Sequence, residues 1–265
     1  MTKLSPLIRS AKPITSLSPS ALQSHLIAAS SSRPLPLHLP DLVSSWPALD
    51  TWRLEDGLKV LRDSIGENRS VEVELGKRGR GYLHKDWQRV WMPFGLFLDA
   101  FILNLIPSSS SPSLLPLAYL AQSDILDTSP SLLETIPALP HFLVGKEKII
   151  GKKTFHILPP EARHHLDISA LPRHTNTSQI PLPVSRIFSP TSLSPFSSKD
   201  DLDDLSDLPP DTVASTRVEL ERAFELPGAC QVDVNAGESV LIPEGWWHAA
   251  EGVEGAGVGV NAWFR

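Results

Sequence analysis

The C-terminal stretch Val240-Leu241-Ile242-Pro243-Glu244-Gly245-Trp246-Trp247-His248 decides how the rest of the chain is interpreted. An apolar run ends at a Pro-Glu-Gly turn. Beyond that turn one histidine follows two tryptophans, a place where an imidazole can face a cavity. Histidine is the commonest metal ligand in proteins. A lone histidine specifies no metal, so core packing at a strand end is the simpler interpretation of His248 on these nine residues alone.

Length and composition indicate one principal core. The chain has 265 residues, of which 41% are hydrophobic and 20% charged. These values are typical of a globular protein. We expect a flexible tail over 1–18 and one domain over 19–265, with insertions of low order at about 107–116 and 185–216, where Ser, Pro and Asp accumulate.

Charge and cysteine content exclude several classes of function. The net charge of -6 provides no basic field for direct nucleic acid binding. The longest apolar run, Phe94 to Ile106, contains Asp99 and Asn104, so we expect no membrane span. Cys230 is the only cysteine, which excludes an intramolecular disulfide and fits an intracellular, nuclear or cytosolic protein. The Ser-rich first 40 residues carry no acid and leave mitochondrial import as an alternative.

Hydrophobic periodicity in the sequence predicts both helices and strands. The patterns predict helices over Pro19–Ala28, around Leu54–Leu61 and from Pro93, and short helices around Ser131–Ile136 and Val218–Phe224. They predict a half-buried strand at Val71–Leu75, a buried strand at Leu117–Gln122, a β-hairpin within Lys148–Ile157 and two strands that flank Asn235–Glu238. The fold class is therefore α+β, mainly β, with N-terminal helices.

The order of these segments resembles that of JmjC-domain proteins. The landmarks are Trp46-Pro47-Ala48, Trp52, Val71-Glu72-Val73, Met92, Phe97-Leu98, Tyr119-Leu120-Ala121-Gln122, Gly151-Lys152-Lys153, Asn176-Thr177-Ser178-Gln179, Gly237-Glu238, Ile242-Pro243, Trp247-His248, Val260-Asn261 and Trp263. In particular, the chain resembles the small, cupin-like JmjC hydroxylases related to the factor-inhibiting-HIF group. The resemblance implies a double-stranded β-helix of the jelly-roll or cupin-like type, and hydroxylation or lysine demethylation of a protein substrate.

The same resemblance implies Fe(II) and 2-oxoglutarate as cofactors. In the family, a His-x-Asp pair and a distal histidine hold the iron and leave positions for the co-substrate and O2. His248 matches the distal histidine. Lys153 matches the lysine whose ammonium pairs with the co-substrate carboxylate. Asn261 falls on the last strand near the pocket, where it would support the site indirectly.

The His-x-Asp pair is missing from its expected place. Between the Tyr119 region and Gly151, the interval Pro137 to Lys148 holds only His141, with no acid two residues further on. His84-Lys85-Asp86 lies ahead of the expected barrel and is most simply a surface turn. His165-Leu166-Asp167 remains as a replacement metal pair or, alternatively, as part of a loop.

An interval this short cannot hold the strands that the family has there, so we expect an incomplete barrel with an exposed sheet edge. Such an edge favours association of copies of the chain or binding of a partner protein. The hypotheses are therefore an oxygenase of this lineage, a non-catalytic cupin-like binding or scaffold protein, and a sequence from which an internal segment has been omitted.

Overall fold

The computed structural model describes residues 9–11, 13–14, 18–27, 33–81, 87–106, 115–120, 123–137, 146–168, 175–188, 208–253 and 255–262. The helices are α1 (Pro19–Ile27), α2 (Ala48–Thr51), α3 (Lys59–Ile65), α4 (Phe94–Phe97, continued as a π-helix over Leu98–Ile102), α5 (Ile125–Thr128), α6 (Val184–Phe188) and α7 (Pro210–Glu225). Two 3-10 helices span Pro130–Glu134 and Pro160–His165. The strands are β1 (Leu37–Leu39), β2 (Ser70–Gly76), β3 (Gln88–Pro93), β4 (Leu117–Tyr119), β5 (Lys146–Ile150), β6 (Lys153–Leu158), β7 (Cys230–Val234), β8 (Ser239–Leu241), β9 (Trp247–Gly252) and β10 (Val258–Asn261).

These strands form three antiparallel sheets. The N-terminal sheet has the order β3-β2-β4, the four-stranded sheet β1-β8-β5-β10, and the three-stranded sheet β7-β6-β9. The predicted α+β class with mainly antiparallel β-structure is confirmed. Within the described ranges the four-stranded and three-stranded sheets do not close into a barrel.

Consecutive strands in the C-terminal half cross from one sheet to the other. The predicted β-hairpin is wrong, because β5 pairs with β8 and β10 whereas β6 pairs with β7 and β9. The turn between β5 and β6 contains Gly151 at a φ of 77°, a left-handed conformation that glycine adopts without steric cost. The strands β7 and β8 likewise lie in different sheets. This alternation is the arrangement of a jelly-roll sandwich.

The core between the two sandwich sheets is built by residues two apart on β6 and β7. Phe155 and Ile157 of β6 pack with Val232 and Val234 of β7 and with Val240 of β8. Trp246 closes this cluster and is 6% exposed. Because side chains alternate between the faces of a strand, the even-numbered residues of β6 point the other way, toward α6 and α7.

Helices cover the outer faces of both sandwich sheets. Leu22 of α1 packs on Leu37 and Leu241 of the four-stranded sheet. On the three-stranded sheet, α7 contributes Leu220 and Phe224 to a cluster that contains Leu158 of β6, Ile187 and Phe188 of α6, and the half-buried Trp247. The N-terminal sheet and α2–α4 form a further cluster against residues of β5 and β10, with Trp46, Trp52, Val73 and Phe97 among its buried members.

Several local predictions differ from the structure. The helix predicted around Leu54–Leu61 begins only at Lys59, since Gly57 and Leu58 adopt left-handed conformations. The strand β4 is not buried, because Leu117 is 56% exposed. Helix α7 begins at Pro210, well before the predicted Val218, and α6 lies at the start of the segment predicted to have low order.

Part of the predicted N-terminal tail contacts the sandwich. Residues 9–11, which the sequence places in the flexible tail, hydrogen-bond to Gln231 of β7. His84, His141, Trp263 and most of the predicted insertions lie outside the described residues. Among the helices that the structure describes, none has both the length and the apolar composition needed to cross a bilayer.

Candidate functional site

A cavity of about 580 Å³ lies where the three sheets approach one another. Its walls come from the π-helical end of α4, from β4 and the segment that follows it, and from β6 and β10. Its lining is mainly apolar and consists of Trp52, Leu61, Ile65, Phe94, Phe97, Leu98, Ile102, Ala118, Tyr119, Leu120, Ser123, Asp124, Ile125, Leu126, Leu132, Lys153, Phe155, Gly257, Val258, Gly259, Val260 and Asn261. This volume falls within the roughly 300–1,000 Å³ of small-molecule sites.

Three polar side chains from three different sheets meet in this cavity. Lys153 belongs to β6, Asn261 to β10 and Tyr119 to β4. The Lys153 ammonium lies 5.4 Å from the centroid of the Tyr119 ring, within cation–π distance. The Asn261 side chain and the Tyr119 hydroxyl are close enough to interact. The structure therefore brings the two predicted cofactor-binding residues, Lys153 and Asn261, to one cavity.

The protein environment disfavours charge at this site. Burial lowers the pKa of the Lys153 ammonium below its usual range, because the low dielectric of the surroundings penalises the cation. Burial also raises the pKa of Tyr119, and the negative charge of Glu74 raises it further, while the hydrogen bond with Asn261 opposes the increase. The surroundings therefore favour the neutral phenol form of Tyr119, and an incoming anion would stabilise the cationic form of Lys153.

His248 lies on the same face of the three-stranded sheet as Lys153. It stands opposite Ile157 in the pairing of β9 with β6, and Lys153 stands opposite Gly252. Directly paired residues project from one face of a sheet, so the His248 side chain emerges on the side of Phe155 and Lys153. The two positions are four residue steps apart on β6, a distance of roughly 13 Å along the strand. His248 is exposed there, so the structure does not bury it in the core.

His165 and Asp167 lie on the other side of the sheet. His165 ends a 3-10 helix, and its Nδ1 is 2.8 Å from the Glu219 carboxylate of α7. Helix α7 covers the face opposite to the one from which His248 projects. Asp167 is exposed, beyond a half-buried Leu166 that packs with the α7 cluster. The structure does not bring His165 and Asp167 together with His248.

Among the residues that the structure describes, the donor set around His248 does not fit an iron site with three protein ligands. A facial triad needs two imidazoles and a carboxylate on one side of the ion. On this face of β9 the next residues are Ala250 and Gly252, neither of which can ligate a metal. Across the ranges that the structure describes, no group of three or more His, Cys, Asp or Glu residues could hold a metal ion. By contrast, the Lys153 ammonium with Asn261 and Tyr119 fits a carboxylate.

A second polar cluster lies on the outer face of the three-stranded sheet. Thr154 donates a hydrogen bond of 2.8 Å to Asp233, and Lys152 lies 3.3 Å from the same carboxylate. His156 is 2% exposed, with its Nδ1 3.8 Å from Glu251. Burial lowers the pKa of His156, and this effect outweighs the opposing influence of Glu251 and Asp233.

Sequence reasoning missed the roles of Tyr119 and of the outer polar cluster. Tyr119 served only as a landmark of the family order, and no local pattern indicates that its ring lies beside Lys153. The alternation of Thr154, His156 and Leu158 with Phe155 and Ile157 on β6 was the available signal for two differently occupied faces. The alternation alone does not show that a helix covers the face of β6 that carries Thr154 and His156.

Comparison with known families agrees with this architecture. Residues 148–265 match the family model of the cupin-like domain, and the matched segment includes the positions of Lys153, His248 and Asn261. This part of the chain is therefore similar to cupin-like domains, which are related to JmjC domains. Cupin-like domains often bind a metal. No curated protein matches the chain. The narrower resemblance to factor-inhibiting-HIF-like hydroxylases stays a prediction.

Proposed function

We propose that this protein is a non-catalytic cupin-like binding protein that holds a carboxylate ligand at Lys153. The observation that carries the proposal is the convergence of Lys153, Asn261 and Tyr119 from three sheets on one cavity. Binding needs only this cavity, whereas oxygenase chemistry also needs a complete set of metal ligands. We further propose that the protein works inside the cell.

The burial and the surroundings of the Lys153 ammonium support an anionic ligand. Within the described residues, no carboxylate lies within 4 Å of its ammonium, and burial lowers its pKa. A partly desolvated cation that lacks a carboxylate partner is unfavourable, and pairing with an anion offsets this cost. Asn261 and Tyr119 add a side-chain amide and a phenolic hydroxyl, both of which can donate hydrogen bonds to carboxylate oxygens.

The second candidate is an Fe(II) and 2-oxoglutarate-dependent oxygenase that acts on a protein side chain. It is favoured by the resemblance of the chain to JmjC proteins and by the position of His248 on the same face as Lys153. In that case Lys153 would orient the co-substrate carboxylate and His248 would be one metal ligand. Because the described residues supply no complete ligand set, we place this candidate second and derive no reaction step through the metal.

Calorimetric titration with a carboxylate that binds the wild type, either 2-oxoglutarate or hexanoate, tests the binding proposal. We expect Lys153→Met to weaken binding by roughly 10- to 150-fold, the range expected for hydrogen bonds to a charged group. Lys152→Met is the matched control, because Lys152 pairs with Asp233 on the opposite face of the sheet and should leave binding unchanged. Equal affinity of the wild type and Lys153→Met would refute the proposed site.

Measurement of succinate release from 2-oxoglutarate distinguishes the two candidate functions. With added Fe(II) and 2-oxoglutarate, we expect the wild type and His248→Ala to release succinate at the same background rate. Release above background by the wild type, abolished in His248→Ala, would replace the binding function with the oxygenase function.

A further inference from the structure

We infer that the preferred ligand of this cavity is an apolar monocarboxylate of the medium-chain fatty-acid type. The inference rests on the proposed function, since it assigns a chemical class to the ligand that Lys153 would bind. The carboxylate would pair with Lys153 and accept hydrogen bonds from Asn261 and Tyr119, and the hydrocarbon chain would extend along the apolar wall.

Much of the apolar wall of the cavity is built from core residues. Phe94, Phe97 and Leu98 line the cavity and also belong to the buried cluster that joins the N-terminal sheet to the sandwich. Ile102 and Leu126 continue the same apolar lining and are half-buried. A polar ligand body would lose its hydration against these side chains without gaining hydrogen bonds. An alkyl chain would instead gain by leaving water.

The charges of the lining disfavour a second carboxylate. Among the lining residues that the structure describes, two are charged, the cation Lys153 and the anion Asp124. Asp124 is exposed to solvent. A dicarboxylate anchored at Lys153 would place its second charge against the apolar wall or near the Asp124 carboxylate. Both positions are unfavourable, because the first leaves a charge without hydration and the second brings like charges together.

The cavity volume also suits a ligand larger than a five-carbon acid. At about 580 Å³ it lies in the middle of the range of pockets that enclose drug-sized molecules. A ligand with a longer apolar chain would fill more of this space and exclude more water from the wall. Affinity should therefore increase with chain length until the wall is covered.

The test is a homologous series of butanoate, hexanoate and octanoate, titrated calorimetrically into the full chain. Burial of methylene groups predicts affinity that rises about fourfold for each added methylene. Octanedioate has the same chain length with a second carboxylate, and we expect it to bind at least about tenfold more weakly than octanoate. Octylamine reverses the charge of the head group and should not bind at the Lys153 site. Lys153→Met should weaken octanoate binding, whereas Lys152→Met should not.

The possible results separate the inference from the proposed function. Rising affinity along the series, with discrimination against octanedioate and loss in Lys153→Met, supports the inference. A flat series, or octanedioate and 2-oxoglutarate binding as tightly as octanoate, overturns it but leaves Lys153-dependent carboxylate binding intact. Binding of octanoate that is insensitive to Lys153→Met also overturns the inference, because the carboxylate would then lie elsewhere. Failure of every carboxylate to bind overturns both the inference and the proposed function.

Discussion

Replacement of Gly228 by alanine should destabilise the protein strongly. Gly228 lies in the turn between α7 and β7 and has a φ of +88°, in the left-handed region. A β-carbon at this position would lie 2.7 Å from the Cη2 atom of Trp246 and 2.9 Å from a terminal methyl carbon of Leu35. Trp246 belongs to the core between the sandwich sheets, so the substitution affects the packing on which the strand carrying His248 depends.

The predicted loss of stability in Gly228→Ala has two contributions. A left-handed conformation costs a residue with a β-carbon about 1–2 kcal/mol. Leu35 is half exposed and can rotate away, but the buried Trp246 ring has to shift within a packed core, which costs about 1–3 kcal/mol. Together the free energy of unfolding should fall by about 2–5 kcal/mol, a large part of the roughly 5–15 kcal/mol of a typical domain.

Urea denaturation of the wild type, Gly228→Ala and Gly57→Ala separates these contributions. Gly57 also has a positive φ, of +65°, but its added β-carbon would meet no atom within 4 Å. Gly57→Ala should therefore lose only the conformational part, about 1–2 kcal/mol. The slope of the free energy against urea should stay constant, because the folded and unfolded surfaces change little. Equal losses in the two variants would refute the predicted clash with Trp246.

Three further measurements test other buried groups. The lowered pKa of His156 means that the unfolded state binds more protons between the folded pKa and about 6.5, so stability should fall on acidification through this window. His156→Leu should therefore reduce the difference in urea midpoint between about pH 7.5 and about pH 5.5, and an unchanged difference would contradict the burial of an uncharged imidazole. Burial raises the pKa of Cys230 to about 12, so iodoacetamide should alkylate it slowly in the native protein and readily in urea; rapid native labelling would show that β7 is not packed as described. Thr154→Val removes the hydrogen bond to Asp233 and should cost about 1–3 kcal/mol in urea denaturation, whereas Thr154→Ser should retain most of the stability.

The sequence predicted the strands better than it predicted their partners. Alternation at Val71–Leu75 predicted β2, and the β-prone residues on both sides of Gly151 predicted β5 and β6. The pairing of β5 and β6 was wrong because a glycine turn is compatible with both a hairpin and a crossing between sheets. The choice between them depends on β8, β10, β7 and β9, which are distant along the chain. Local patterns contain no information on those contacts.

The candidate site was predictable only as far as the family resemblance extended. Lys153 and Asn261 followed from the order of motifs, and the structure places both on one cavity. His165 could not be assigned to a side of the sheet from sequence, because its position depends on the packing of α7 and on the Glu219 contact. The depressed pKa of Lys153 likewise results from burial by residues of several elements, which no spacing rule reveals.

The alternation of strands between sheets determines the order in which the chain can fold. The N-terminal sheet pairs segments that are close in sequence, such as β2 with β3, so it can form early. The edge strand β1 instead pairs with β8, where Leu37 stands opposite Leu241, and β5 pairs with β10. The four-stranded sheet therefore cannot assemble until β8 and β10 have left the ribosome, and its loop-closure entropy makes this step slow. Until then, the apolar residues Leu37 and Leu39 of β1 lack their sheet partner, and such exposed apolar strands favour aggregation.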